Sequence, residues 1–148
     1  MNQVLFLCTG NYYRSRFAEI LFNHLAKQSG IQWSAISRGL HVQAPGVVNV
    51  GPISIFTQSA LQSRRIPLPP ERFPEQVTHD ELAAAGITVA VKEAEHFPLM
   101  QRLHPEFARK IRYWTIHDLD AGHPAESLAN LERHVRLLIT ECQTIPHF

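Results

Sequence analysis

The chain alternates between short apolar runs and longer stretches in which apolar residues recur every three or four positions. The short runs predict four strands: Gln3–Leu7, Gln32–Ser37, Ile87–Val91 and Ile111–Ile116. The periodic stretches predict five helices, the fourth interrupted at Pro98: Arg14–Lys27, Pro52–Arg64, a short one from Thr78 to Gly86, Glu93–Leu103 and Pro124–Cys142.

Strands that alternate with helices are typical of an α/β protein, so we expect a parallel sheet with helices on both faces. A length of 148 residues suits one domain, which we place at residues 1–148. Ligands of such sheets bind beyond the carboxyl ends of the strands. Three predicted loops meet there: Cys8–Arg14, the loop that starts at Ser37, and Asp118–Pro124.

Composition narrows the possible functions. Apolar residues make up 45% and charged residues 18% of the chain, and the net charge is 14 − 13 = +1, so nothing indicates a nucleic-acid partner. No apolar run approaches a membrane span and no signal peptide is evident, so we expect a cytoplasmic protein without membrane attachment. The two cysteines are expected to be free thiols, and the nine histidines show no metal-binding spacing.

The most informative motif is the segment from Cys8 to Ser15, Cys-Thr-Gly-Asn-Tyr-Tyr-Arg-Ser. A strand that turns tightly into a helix directs successive backbone N–H groups into one concavity, and the helix N-terminus adds partial positive charge. Such surroundings favour the thiolate form of Cys8. The guanidinium of Arg14 matches two phosphate oxygens at once. The segment therefore predicts a nucleophile held against an oxyanion.

A thiolate in such a loop can attack the phosphorus of a monoester and form a phosphocysteine, which water then hydrolyses. The leaving oxygen needs a proton from another loop, and Asp118 and Asp120 are the candidates. The hydroxyl of Ser15 can assist the sulfur when it leaves.

The Cys8–Ser15 segment resembles the Cys-x5-Arg-Ser signature of low-molecular-weight protein tyrosine phosphatases, and the aspartate loop and the segment 37–39 extend the similarity along the chain. The resemblance implies a three-layer α/β/α fold with a four-stranded parallel sheet in the order 2-1-3-4. It implies no metal or cofactor. It also implies site residues: Cys8 as nucleophile, Arg14 as phosphate clamp, Asp118 as general acid, and Ser15 and Ser37 as supporting groups, with Asn11 bonded to Ser37. The residues implied around the phosphate are Thr9, Gly10, Asn11, Tyr12, Tyr13, Arg14 and Ser15. Asp120, a second carboxylate that the family pattern lacks, is expected to be a further supporting group.

The sequence departs from the family pattern at four places. Leu119 replaces the usual proline after the acid, and the aromatic residues of that loop are absent. Tyr13 stands where many members have a second cysteine, and one of the two loop tyrosines is expected to supply the missing aromatic wall. Arg16 replaces a proline; we expect it to add positive charge beside the pocket and to favour acidic substrates.

The sequence thus predicts a phosphatase of phosphotyrosine type that acts on a phosphorylated protein or a small-molecule phosphate and binds phosphate or sulfate in its loop. Two alternatives remain open. One is an arsenate reductase that uses an external thiol, and the other is a phosphate-binding regulatory module without turnover.

Overall fold

The sheet has four strands, all parallel, in the order β2-β1-β3-β4, as the resemblance implied. The computed structural model describes residues 2–46, 48–118 and 123–145. The strands are β1 (Gln3–Cys8), β2 (Ser34–Gly39), β3 (Ile87–Ala90) and β4 (Arg112–Tyr113). In the register, Cys8 lies beside Gly39 on one neighbour and Leu7 lies beside Ala90 on the other. The loop that follows Cys8 therefore leaves the middle of the sheet.

All five predicted helices are present: α1 (Arg14–Ser29), α2 (Ile55–Ser63), α3 (His79–Ala84), α4 (Glu93–Leu103) and α5 (Pro124–Thr144). Gly30 ends α1 in the left-handed conformation, with φ 67°. Thr78 and Glu81 form the predicted capping box of α3. None of the described helices is long and apolar enough to cross a membrane.

Successive side chains of β1 point alternately into two hydrophobic cores, one on each face of the sheet. Val4 and Phe6 are fully buried in the larger core, which α1 and α5 cover. Leu5 and Leu7 are fully buried on the opposite face, with Met100 of α4. Burial of both faces of one strand explains why its sequence is a continuous apolar run.

Several predicted boundaries were wrong. β2 runs to Gly39 because it pairs with β1 along its whole length, so Ser37 lies inside the strand. α2 begins only at Ile55, because Ser54 caps it by accepting a hydrogen bond from the Phe56 N–H at 3.2 Å. The fourth helix continues through Pro98. Pro98 is exposed, so the carbonyl that loses its donor there can bond to water.

Candidate active site

The loop that joins β1 to α1 directs its carbonyls outward. Four of them, in residues 8, 9, 12 and 13, accept hydrogen bonds at 2.9–3.0 Å from groups outside the loop: the N–H groups of Leu40, His41 and Ser54 and the hydroxyl of Thr57. No side chain caps the start of α1. Among the described residues, none accepts a hydrogen bond from the backbone N–H groups of residues 10–13. These groups are the donors that an anion would use.

Gly39 allows the end of β2 to lie against this loop. A Cβ atom at this position would lie 2.8 Å from the Thr9 carbonyl oxygen and 2.5 Å from Cγ2 of Val42. Any other residue would push the loop away from the sheet. The glycine is required by close approach of two backbones.

Asn11 holds the loop in shape from behind. Its backbone is left-handed, with φ 52°, and its side chain is fully buried. The side-chain amide donates to the hydroxyls of Ser15 and Ser37, both at 3.0 Å, so the predicted Asn11–Ser37 hydrogen bond is present. Its oxygen accepts from Arg72 and from the Glu75 N–H, also at 3.0 Å. Every hydrogen-bonding position of this amide is therefore engaged, which stabilises a strained backbone.

Cys8 and Ser15 face each other across the loop. The Cys8 sulfur lies 2.8 Å from the Ser15 oxygen, and both side chains are buried. Ser15 also accepts the hydrogen bond from Asn11, so its own proton can be directed at the sulfur. A thiolate at Cys8 would be stabilised by this contact.

Arg14 projects from the first turn of α1 toward the carboxyl edge of the sheet, and it is 2% exposed. Its Nη1 donates to the Ile116 carbonyl at 3.0 Å, and its Nη2 lies 3.1 Å from Glu95 and 3.4 Å from Asp118. Burial lowers the pKa of Arg14, but the negative charges of Cys8, Glu95 and Asp118 outweigh burial and raise it above the ordinary value. The guanidinium therefore stays charged in the site.

The sequence prediction missed Glu95, which reaches the loop from the first turn of α4. Its carboxylate accepts a hydrogen bond from the Thr9 hydroxyl and lies 3.1 Å from Nε2 of His96. Nδ1 of His96 accepts the Lys92 N–H at 3.0 Å, so its proton is on Nε2 and faces Glu95. Burial alone would raise the pKa of Glu95, but His96, Arg14 and Thr9 bring it well below the usual range.

These side chains surround an open cavity of about 360 Å³. Its lining includes residues at or beyond the end of each of the four strands: Cys8 and Arg14, His41 and Asn49, Glu95, and Asp118. Asp118 is 41% exposed at the cavity. Asp120, the other candidate acid, lies outside the described residues.

Arg16 does not lie beside the pocket as predicted. It is 4% exposed and points behind the loop, where it donates to the carbonyls of Pro52 at 2.9 Å, Arg72 at 2.8 Å and Asn11 at 3.4 Å. Burial and the nearby charge of Arg72 lower the pKa of Arg16 to about 10. Arg16 therefore holds the loop together, and the expected positive charge at the pocket is absent from its described lining.

Both tyrosines of the loop contribute to the cavity wall, although they are fixed in different ways. The hydroxyl of Tyr12 donates to the Val50 carbonyl. Tyr13 is buried against Phe56, with ring centroids 6.5 Å apart. Burial and then the charge of Asp118 raise the pKa of Tyr13 to about 12, so this phenol stays neutral. His41 and Asn49 belong to the loop after β2, which the sequence placed at this edge of the sheet, and they also line the cavity.

The second cysteine, Cys142, belongs to the hydrophobic core and does not line the cavity. Cys142 is fully buried on α5 within the larger core, and burial raises the pKa of its thiol to about 11. Both cysteines are free. Within residues 2–46, 48–118 and 123–145, no group of three or more His, Cys, Asp or Glu side chains could hold a metal ion.

A comparison with protein families identifies the family of the chain that carries this loop. The family described as low molecular weight phosphotyrosine protein phosphatase matches residues 3–137. The chain belongs to this family. It is therefore a cysteine-dependent phosphatase, as the sequence predicted, and Cys8 stands in its phosphate-binding loop. None of the curated proteins compared with this phosphatase matches it significantly.

Solved structures repeat the fold over nearly the whole phosphatase. A low-molecular-weight protein tyrosine phosphatase from T. tengcongensis is 25% identical, with 95% of this chain and 99% of that one covered and a TM-score of 0.78. The YwlE arginine phosphatase, also solved as a mutant from Bacillus subtilis, is 19% identical over 96% of both chains, again with a TM-score of 0.78. Vibrio vulnificus Wzb with benzylphosphonate is 14% identical over 97% and 99%, with a TM-score of 0.73. The last two likenesses concern the fold alone.

Proposed function

We propose that this phosphatase hydrolyses phosphate monoesters by moving the phosphoryl group first to Cys8 and then to water. The observation that carries the proposal is the Cys8 sulfur, 2.8 Å from Ser15, in a loop that lines the same cavity as Arg14 and whose N–H groups at residues 10–13 have no acceptor among the described residues. A thiolate needs a positive surrounding, and the transferred phosphoryl oxygens need donors. One loop supplies both.

In the first step the sulfur of Cys8 attacks phosphorus, an S–P bond forms and the P–O bond to the leaving group breaks. The loop N–H groups and Arg14 neutralise the phosphoryl oxygens as they pass in line. Asp118 donates its proton to the leaving oxygen, because an alkoxide or phenoxide leaves poorly without one. Its place in the cavity wall, 41% exposed and 3.4 Å from Arg14, supports this assignment.

In the second step a water oxygen attacks the phosphocysteine, the S–P bond breaks and inorganic phosphate forms. Asp118, now ionised, takes the proton of that water. The sulfur leaves as a thiolate, and the Ser15 hydroxyl donates a hydrogen bond to it. The cycle restores the starting protonation state without a cofactor.

The family and the phosphonate-bound neighbour support a phosphate-containing substrate, and we propose the phosphotyrosine type, in a phosphorylated protein or a small aryl phosphate. Tyr12 and Tyr13 provide aromatic surface beside the thiol, in place of the aromatic residues that the acid loop lacks. Because the nucleophile must be a reduced thiol, a cytoplasmic site of action suits the chemistry.

The decisive experiment compares Cys8→Ser with Cys142→Ser on a small aryl phosphate. We expect Cys8→Ser to abolish turnover and Cys142→Ser to keep it, and rapid acid quenching of the wild type should trap one phosphate per chain on Cys8. Full activity in Cys8→Ser would end the proposal. Tight phosphate binding without turnover in the wild type would favour the regulatory alternative, and faster thiol-dependent turnover of arsenate would favour the reductase.

A further inference from the structure

Glu95 is a fixed negative charge in a pocket built for a dianion, and the proposed mechanism gives it no step. Its two oxygens lie 3.1 and 3.3 Å from Nη2 of Arg14, the nitrogen that also lies near Asp118. The side chain is 29% exposed, so part of the carboxylate faces the cavity. A substrate phosphate must therefore bind beside it.

The carboxylate cannot easily turn away from the cavity. Thr9 donates to it from the loop, and His96, itself fully buried, faces it from α4. His96 is in turn fixed by the Lys92 N–H. The low pKa of Glu95 keeps it ionised at neutral pH. The charge is therefore present whenever a substrate arrives.

The balance of charge around the cavity is negative. Among the described residues that line it, Arg14 is the one arginine or lysine, and its Nη2 lies 3.1 Å from Glu95 and 3.4 Å from Asp118. When Asp118 carries the proton that it donates, Glu95 remains as an extra negative charge. A dianionic phosphate that engages Arg14 also competes with Glu95 for that cation.

We infer that Glu95 makes this phosphatase prefer phosphate esters that carry a positive charge beside the phosphate over otherwise equal esters that carry a negative one. This inference rests on the proposed function and names its substrate class. A substrate cation pairs with Glu95 once the phosphate has taken Arg14, whereas a substrate carboxylate adds a further repulsion. The preference is the opposite of the one that Arg16 suggested in the sequence.

The test uses three aryl phosphates that differ at one ring position, which carries an aminomethyl, a hydroxymethyl or a carboxymethyl group. We expect kcat/KM of the wild type at low salt to be about tenfold higher for the cationic than for the anionic ester, with the neutral one between. Because the effect is electrostatic, the ratio should shrink as salt rises. Glu95→Gln, which keeps the shape, should reduce the ratio to about two.

The matched control is Glu93→Gln, which removes the same charge from an exposed position on the same helix and should leave the ratio as in the wild type. An unchanged ratio in Glu95→Gln, or an equal change in both variants, would overturn the inference. An equal loss on all three esters would make Glu95 a positioning residue for Arg14 and would also overturn it.

Binding separates this inference from the proposed function. Benzylphosphonates with the same three substituents cannot be hydrolysed, so their affinities do not depend on turnover. We expect the aminomethyl compound to bind most tightly to the wild type and to lose that advantage in Glu95→Gln. If turnover is absent but this order of affinities holds, the proposed function fails and the charge preference stands. If turnover is normal and the three compounds bind equally well, the proposed function stands and the charge preference fails.

Discussion

Arg14 and Arg16 lie two residues apart at the start of α1 and are buried almost equally, yet they face opposite sides of the phosphate loop. Side chains two positions apart in an α-helix point in directions about 200° apart around the helix axis. In front of the loop, Arg14 contacts the carboxylates of Glu95 and Asp118. Behind it, Arg16 contacts three carbonyls, and its Nε has no hydrogen-bond partner among the described residues.

The partners explain the difference in function. Carbonyl oxygens of the backbone cannot leave, so the contacts of Arg16 connect the loop to the carbonyls of Pro52 and Arg72 permanently. The carboxylates in front belong to side chains that are 29% and 41% exposed, so a phosphate that enters the cavity can compete with them for the guanidinium. The described partners of the Arg16 side chain are all backbone carbonyls, so it supports structure, whereas Arg14 donates to one carbonyl and keeps its other terminal nitrogen beside carboxylates at the cavity, where a phosphate can reach it.

The largest effect expected from this comparison is that of Arg14→Lys. Lysine presents a point charge instead of a planar fork, so kcat/KM for an aryl phosphate should fall by roughly 10²–10³-fold. Arg16→Met, by contrast, should lower stability and leave turnover nearly unchanged. It leaves buried carbonyls without a donor, so the free energy of unfolding should fall by about 2 kcal/mol while turnover of the folded enzyme stays within about fivefold of the wild type. Steady-state kinetics and urea unfolding of both variants check this, and equal effects on either quantity would break the comparison.

The next effect concerns the acid in front of the loop. Asp118→Asn cannot donate a proton, so turnover of an ester with a poor leaving group should fall by about 100-fold, and turnover of one with a good leaving group should fall much less. Asp120→Asn is the matched control and should keep the wild-type dependence on the leaving group. The slope of rate against leaving-group pKa measures the difference, and a steeper slope in Asp120→Asn alone would exchange the two assignments.

Much of this architecture could be predicted because its signals are local. The strand before Cys8, the helix after Arg14 and the capping box at Thr78 each lie within a few consecutive residues. The direction of Arg16 was also within reach, because a helical residue two positions from Arg14 must point the other way. The expectation of a charge beside the pocket ignored that geometry.

Glu95 was missed for a different reason. The sequence argument gathered the loops after the first, second and fourth strands and left out the third. Glu95 lies in the first turn of the helix that follows β3, five residues beyond the last residue of that strand. Its contacts with Thr9 and Arg14 span more than 80 residues of sequence, so no local pattern indicates them. Only the rule that all strand ends share one edge could have drawn attention to it.

A smaller effect is expected at the back of the loop, from Asn11. Asn11→Ala removes four hydrogen bonds and leaves a residue with a Cβ in the left-handed region, so the free energy of unfolding should fall by about 3 kcal/mol. Asn11→Gly loses the same bonds without the backbone cost and should be about 1 kcal/mol more stable than Asn11→Ala. Urea unfolding of both variants gives that difference. If the two are equally stable, the left-handed backbone costs nothing here.

The smallest effect distinguishes the two sides of the loop by their response to acid. Because the folded-state pKa of Glu95 lies below its unfolded value, its stabilisation is complete above the unfolded pKa of about 4.3 and is lost as pH falls through the folded one. The stability difference between wild type and Glu95→Gln, about 1.5 kcal/mol at pH 7, should therefore shrink steadily below about pH 4. The difference between wild type and Arg16→Met should stay constant over the same range, because a guanidinium with a pKa of about 10 remains charged throughout. Urea unfolding at pH 7, 5, 4 and 3 measures both differences, and parallel curves for the two variants would mean that the ionised Glu95 carboxylate does not stabilise the front of the loop.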